Sequence, residues 1–244
     1  MKKLVTFSGG IDSLAIMLEY KDKFGPENIV SLGFNYGQRH FKMENAAAVR
    51  FCREFDIERV VLDVPIGQIG GCSLVDHSIP VTTDMSKQRS TVVPMRNGIF
   101  MMLAASLAQV KGCDVITHGA CAEDDAAYRD CRVMFFKFME CAIQAGLTSP
   151  VIGSENILED MIYVENNHLR FPTKIDIRIE TPLILEKKET TMARILKSYP
   201  VDIYKYSYSC YNGGEQQCGC CPACIERKNA FTVNNVIDPV GYKS

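Results

Sequence analysis

The sequence predicts an α/β protein. Its centre is a Rossmann-like parallel sheet of five strands covered by helices, and a small cysteine-rich segment follows near the C-terminal end. Three observations carry this. Short apolar runs alternate with stretches of helical periodicity, the pattern of a parallel sheet covered on both faces. The first run empties into Ser8-Gly9-Gly10-Ile11-Asp12-Ser13, a glycine-rich turn ahead of a helix. Five cysteines crowd between Cys210 and Cys224.

In chain order, Leu4-Val5-Thr6-Phe7 is the first strand, and Leu14-Ala15-Ile16-Met17-Leu18 suits a buried helix. Residues 28–34 form a second strand that runs into Asn35-Tyr36-Gly37-Gln38-Arg39-His40. A helix is predicted over about 41–55, with Ala46, Val49, Arg50 and Arg53 at helical spacing. Residues 59–64 are the third strand, stopped by Pro65. Residues 66–91 are irregular, and a loop of that length suits a lid or an oligomer contact. Val92 to Asn97 leads into an apolar helix over 99–110, and residues 114–117 are the fourth strand. A helix follows over 134–145. Two strand-like runs, 161–164 and 168–171, flank Asn166-Asn167 and predict a β-hairpin. Residues 175–179 alternate and form the fifth sheet strand; Lys187 and Glu189 open a helix reaching about Tyr199. The expected division is 1–200 for the sheet domain and 201–244 for the cysteine segment.

The net charge of −2 over 244 residues provides no global basic field for nucleic acid, and no apolar run is long enough to span a bilayer. Met1-Lys2-Lys3 enters a strand directly with no signal-peptide pattern, so a cytoplasmic protein is expected. Cys52, Cys72, Cys113, Cys121, Cys131 and Cys141 are scattered and read as reduced residues. An odd total of eleven argues against a disulfide framework and for a metal site. Cys210-x7-Cys218-x2-Cys221-x2-Cys224 suits a structural Zn²⁺ with four thiolates, with an iron–sulfur cluster as the alternative and disulfides behind both. The paired spacing disfavours Cys220 as a ligand.

In the hexapeptide, two glycines let the backbone approach an anion, which main-chain N–H groups and the following helix N-terminus then face. Ser8 and Ser13 add hydroxyls, and Asp12 beside a phosphate implies Mg²⁺. The lysine of a Walker A loop is missing. Arg96, at a helix start, is placed to meet a carboxylate or phosphate. The stretch 119–132 concentrates Glu123, Asp124, Asp125, Asp130, Arg129, Arg132 and Tyr128 at a strand's carboxyl end, where an unpaired carboxylate can accept from a guanine-like edge.

The hexapeptide resembles the S-G-G-x-D-S loop of the PP-loop ATP pyrophosphatases, whose fold is of the adenine nucleotide alpha hydrolase-like type. With Tyr36-Gly37-Gln38-Arg39-His40, Val93-Pro94-Met95-Arg96-Asn97, Tyr128-x-Asp130-Cys131-Arg132, Thr181-Pro182-Leu183 and Ser209-Cys210-Tyr211-Asn212-Gly213-Gly214, the chain resembles the 7-cyano-7-deazaguanine synthase family over nearly its whole length. The resemblance implies a ligase that uses ATP, ammonia and 7-carboxy-7-deazaguanine and passes through an adenylate and an amide to the nitrile. It implies ATP contacts at Phe7, Ser8, Gly9, Gly10, Asp12, Ser13, Tyr36, Gln38 and Arg39. Catalytic roles fall to Asp12, Arg96 and Lys187, and substrate contacts to Arg96, Asp124, Tyr128, Asp130 and Arg132. His40 is a candidate proton acceptor, and a homodimer is expected.

Three departures stand out. Met95 occupies a usual glycine position, Asp125-Ala126-Ala127-Tyr128-Arg129 replaces an aromatic-Ser-Gly-Tyr-Pro run, and 148–174 looks like an insertion suited to a protein partner. They leave open a synthase-like enzyme that joins a deazaguanine acid to a protein amine in an anti-phage system. A PP-loop enzyme of tRNA modification and a nucleotide-sensing binding module are further alternatives.

Overall fold

A computed structural model describes residues 1–84, 90–124, 128–147, 163–165, 168–170 and 177–243. Five strands form one parallel sheet: β1 (Lys2–Thr6), β2 (Ile29–Asn35), β3 (Glu58–Asp63), β4 (Cys113–Thr117) and β7 (Arg178–Glu180). Their order is β3-β2-β1-β4-β7. The chain winds outward from β1 first to one side and then to the other, so the crevice of such a sheet opens at the carboxyl ends of β1 and β4. β2 is buried on both faces from Ile29 to Phe34, with only the small polar Ser31 among its apolar residues, whereas β3 at the edge is partly buried to exposed.

Successive residues of β1 point to opposite layers. Leu4 joins a core with Leu32, Phe34, Phe100, Met101, Ala104 and Ile116, which packs α3 (Arg96–Lys111) and α4 (Val133–Leu147) on one face. Val5 joins the other core with Leu14, Met17, Leu18 and Phe51 of α1 (Ile11–Phe24) and α2 (Phe41–Glu54). Met192 and Ile195 of α5 (Lys188–Ile195) belong to that second core. So do Ile203 and Tyr204, and Ala230 and Phe231 of α6 (Pro222–Val233). The segment after residue 200 therefore shares its apolar packing with β1 and α1. It is pinned by Arg227, which is wholly buried and donates to Asp238 Oδ2 at 2.7 Å and Ser207 Oγ at 2.8 Å.

The strand and helix order follows the sequence expectation, with boundary shifts that have local causes. α3 begins at Arg96 rather than residue 99, because Asp130 Oδ2 accepts from Asn97 N at 3.0 Å and stabilises the first turn. α5 ends at Ile195 rather than near Tyr199; the chain leaves through tight turns such as Ser198 N to Ile195 O, ahead of Pro200. The fifth sheet strand lies at Arg178–Glu180, paired with Val115–Thr117 of β4, and residues 175–176 fall outside the described set. The expected hairpin exists as β5 (Tyr163–Glu165) antiparallel to β6 (His168–Arg170). Its Asn166-Asn167 turn and most of 148–174 lie outside the described residues, as do 125–127 of the altered loop. No helix among the described residues is long and apolar enough to cross a membrane.

Candidate active site

A cavity of about 230 Å³ opens where the carboxyl ends of β1, β2 and β4 meet. The glycine-rich turn forms one end. Gly9 has φ +103°, and a Cβ there would lie 2.3 Å from the carbonyl oxygen of Glu44, so only glycine fits between the turn and α2. Ser8 Oγ accepts from Gly10 N at 3.1 Å and pairs with Ser13 Oγ at 3.1 Å. No described side chain caps α1 at Gly10, so its first-turn N–H groups are left able to receive an anion.

Beside this loop, Lys188 Nζ lies 3.1 Å from Asp12, 3.6 Å from Glu226 and 2.8 Å from Cys121 Sγ. Burial opposes its charge, but Asp12 and Asp124 outweigh that and hold its pKa well above the ordinary lysine value. Burial raises the Asp12 carboxyl; Lys188 pulls it back and Asp124 pushes it further up. Lys187, expected from the sequence to act in catalysis, points away. Its side chain is 69% exposed and lies 4.0 Å from Glu189. The reason is local: Lys187 is the extended N-cap of α5, and Lys188, the first helical residue, turns inward.

Arg96 occupies the far end. Among the described residues it donates only long bonds, 3.4 Å to Tyr36 Oη and 3.4 Å to Asn97 Oδ1. Its guanidinium lies over the rings of Tyr36 and Tyr128 at 5.9 and 5.8 Å. No carboxylate comes within 4.0 Å of it among the described residues. Burial opposes its charge, yet Tyr36 and Tyr128 beside it help to hold its pKa above the ordinary value. Burial pushes Tyr36 up to about 12. Glu44 is pushed up to about 8 by burial, against the pull of Arg96 and Arg59. His40 and His118 are each lowered to about 4 by burial and then by Arg96, so both imidazoles are neutral near pH 7. His40 Nε2 sits 3.6 Å from Glu44 Oε2.

Of the residues predicted from sequence, Ser8, Gly10, Asp12, Ser13, Tyr36, Gln38, His40, Arg96 and Asp124 line this cavity. Gln38 also closes its own turn, donating to Phe34 O and accepting from Tyr36 N. Besides Gly9 and Lys187, described above, five others lie outside its lining. Phe7 is a core residue packed edge-on against Phe51. Arg39 donates to Asp76 O and Ile79 O, each at 2.9 Å, and so anchors the irregular 66–84 loop. Asp130 holds the start of α3, and Arg132 is exposed. Tyr128 lies behind Arg96 with its hydroxyl 2.6 Å from Thr91 Oγ1.

The structure adds Lys188, Glu44, Arg59, His118 and Glu226. Three of them had a faint signal. Glu44 stands one helical turn after His40, and Glu226 follows Cys224 on α6. Gly33 leaves room for Arg59: a Cβ there would meet its Nη2 at 2.4 Å.

The sulfurs of Cys210, Cys218, Cys221 and Cys224 all lie within 4.8 Å of one another. Cys218 and Cys224 Sγ are 3.9 Å apart, close to the ~3.8 Å edge of a tetrahedron with Zn–S of about 2.3 Å. Backbone N–H groups of Cys218 and Cys221 donate to Cys210 and Cys218 sulfurs at 3.3 Å, the pattern thiolate ligands need. The four residues fit a metal, and Cys220 is exposed outside them.

Residues 2–235 match the family profile described as "Queuosine biosynthesis protein QueC". A 7-cyano-7-deazaguanine synthase of Campylobacter fetus is 33% identical over 100% of this chain and 98% of its own length. Those of Nitratiruptor sp. and Chlorobium phaeobacteroides are each 34% identical, over 100% of this chain and 100% and 97% of theirs. Among solved structures, the U34-tRNA thiolase NcsA of Methanococcus maripaludis, with its [4Fe-4S] cluster, matches with TM-score 0.46 and 15% identity. That match covers 96% of this chain and 66% of the other. From the full-length match to its profile and the end-to-end similarity to named relatives, this chain belongs to the QueC family of queuosine biosynthesis proteins.

Proposed function

We propose that this chain is an ATP-dependent ligase converting 7-carboxy-7-deazaguanine and ammonia to 7-cyano-7-deazaguanine, with AMP and pyrophosphate as co-products. The observation that carries the reading is Arg96, a half-buried guanidinium in the cavity wall with no carboxylate within 4.0 Å among the described residues, across the cavity from the glycine-rich turn. A partly desolvated cation with no carboxylate in contact is poorly compensated, and a substrate carboxylate would pair with it. The family membership and the names of the relatives support the same substrate.

In this reading the N–H groups of α1, with Ser8 and Ser13, hold the β,γ-pyrophosphate of ATP, and Asp12 and Asp124 would hold Mg²⁺, which neutralises phosphate charge. Arg96 orients the carboxylate, whose oxygen attacks the α-phosphorus as pyrophosphate leaves. Lys188 stabilises charge on the departing group. Ammonia then displaces AMP to give the amide. The amide oxygen attacks a second ATP, and loss of AMP gives the nitrile. Cys210, Cys218, Cys221 and Cys224 would hold a structural Zn²⁺ that fixes the start of α6 and with it Glu226.

The test is product analysis with 7-carboxy-7-deazaguanine, ATP and Mg²⁺, with and without ammonium. Ammonium-dependent nitrile with AMP and pyrophosphate is expected. Adenylate that never becomes amide or nitrile would overturn the reading and point to a different acceptor, such as a protein amine.

A further inference from the structure

Among the described residues the cavity holds four carboxylates, and three are already committed. Asp12 and Glu226 lie against Lys188 at 3.1 and 3.6 Å. Asp124 Oδ2 accepts from Cys121 N at 3.0 Å and from Cys121 Sγ at 3.3 Å. Glu44 is different. Its nearest charged or ionisable neighbour on its own helix, His40 Nε2, stays 3.6 Å away, beyond hydrogen-bond range, and its side chain is 15% exposed, toward the cavity. Its carbonyl oxygen packs on Gly9, so the residue is fixed one layer from the turn that would hold pyrophosphate. The groups facing it are His40 from the same helix, Tyr36 from the turn after β2, Arg59 from β3 and Arg96 from α3.

The second half of the proposed reaction, on which this inference rests, needs a base. The amide oxygen bonds to the α-phosphorus, the α–β phosphoanhydride bond breaks, and pyrophosphate takes that electron pair. The nitrogen of the resulting imidate adenylate carries two protons. Both must leave it as the C–N triple bond forms and the C–O bond breaks, with the C–O pair departing on AMP. The first half has no such demand, because surplus ammonia can take the single proton released there.

We infer that Glu44 is the general base that removes these amide-nitrogen protons, a catalytic residue specific to nitrile formation. A carboxyl near 8 suits this, being basic enough to accept an N–H proton and acidic enough to return it to solvent. His40, neutral at the carboxyl's side, gives the proton no cationic competitor on that helix.

The experiment compares wild type, Glu44→Gln and Glu44→Asp on the acid with ammonium and, separately, on the deazaguanine amide, with ATP and Mg²⁺ in both. Expected for Glu44→Gln is amide formation within a few fold of wild type and nitrile formation down about 10²- to 10⁴-fold, so that amide accumulates. Glu44→Asp keeps a carboxylate and restores part of the nitrile rate. The wild-type rate on the amide climbs with pH toward 8, and Glu44→Gln abolishes that climb. Equal losses in both halves, or nitrile at the wild-type rate, would overturn the assignment. Wild type that makes no nitrile from either compound would instead overturn the synthase reading, and this inference with it.

Discussion

Glu44 should weaken the folded protein progressively as pH rises from about 4.5 toward 8. Its folded-state pKa is near 8, against an ordinary 4.5, and its side chain is 15% exposed, so solvent screens it little. Between those two values the folded state binds more protons than the unfolded chain, so stability falls as pH rises. Each pH unit in the window costs about 1.4 kcal/mol, which amounts to about 3 kcal/mol by pH 7. Below 4.5 both states are protonated and the cost vanishes. Glu44→Gln puts a neutral group of the same shape in the same place. The variant should match wild type near pH 4.5 and be about 3 kcal/mol more stable near pH 7. Urea unfolding of both proteins from pH 4.5 to 8, without nucleotide, measures the gap directly. A gap that stays constant with pH, or a variant less stable than wild type at pH 7, would refute the argument. A stabilising substitution that removes an activity is what a site held in a costly state should produce.

Other consequences follow from particular contacts. Lys188→Ala should lower ATP turnover by 10² or more, about the effect of losing one charge-stabilising donor, while Lys187→Ala stays within about twofold; steady-state AMP release separates them. Met95 caps α3 at φ +56°, a left-handed conformation that costs about 1–2 kcal/mol, and it is 59% exposed. After allowing for glycine's greater freedom when unfolded, Met95→Gly should gain about 0.5–1 kcal/mol, seen as a higher Tm. Removing the metal with a chelator, or changing Cys218 to Ser, should destabilise the protein and abolish activity, because α6 carries both Cys224 and Glu226. Metal analysis should find one zinc per chain, retained in Cys220→Ser; iron with inorganic sulfide would contradict the zinc assignment.

How much of this was legible in the sequence depended on whether a motif dictates backbone or side-chain direction. The hexapeptide dictates backbone: Gly9 has no alternative against α2, and the anion turn lies where the residues place it. The paired cysteine spacing likewise brings four sulfurs together. Side-chain direction was harder. Lys187 and Lys188 are adjacent, and the one that turns inward is set by where α5 begins, which no local residue announces. Arg39 and Asp130 were read as ligand contacts because they are charged and sit in the matching motifs. Their charges instead hold the 66–84 loop and the first turn of α3. Arg59 reaches the site from an edge strand through space that Gly33 leaves empty, a contact between β2 and β3 visible only once their register is known.

If ATP activates first an acid and then an amide oxygen in one cavity, the path of the carboxylate oxygens is fixed, and isotope labelling follows it. The substrate is 7-carboxy-7-deazaguanine with both carboxylate oxygens labelled as ¹⁸O, supplied with unlabelled ATP, Mg²⁺ and ammonium. Two α-phosphorus attacks per nitrile predict that both labels end in AMP, one in each of two molecules, and none in pyrophosphate or water. Label in inorganic phosphate or in water, or a nitrile formed with a single AMP, would contradict the account.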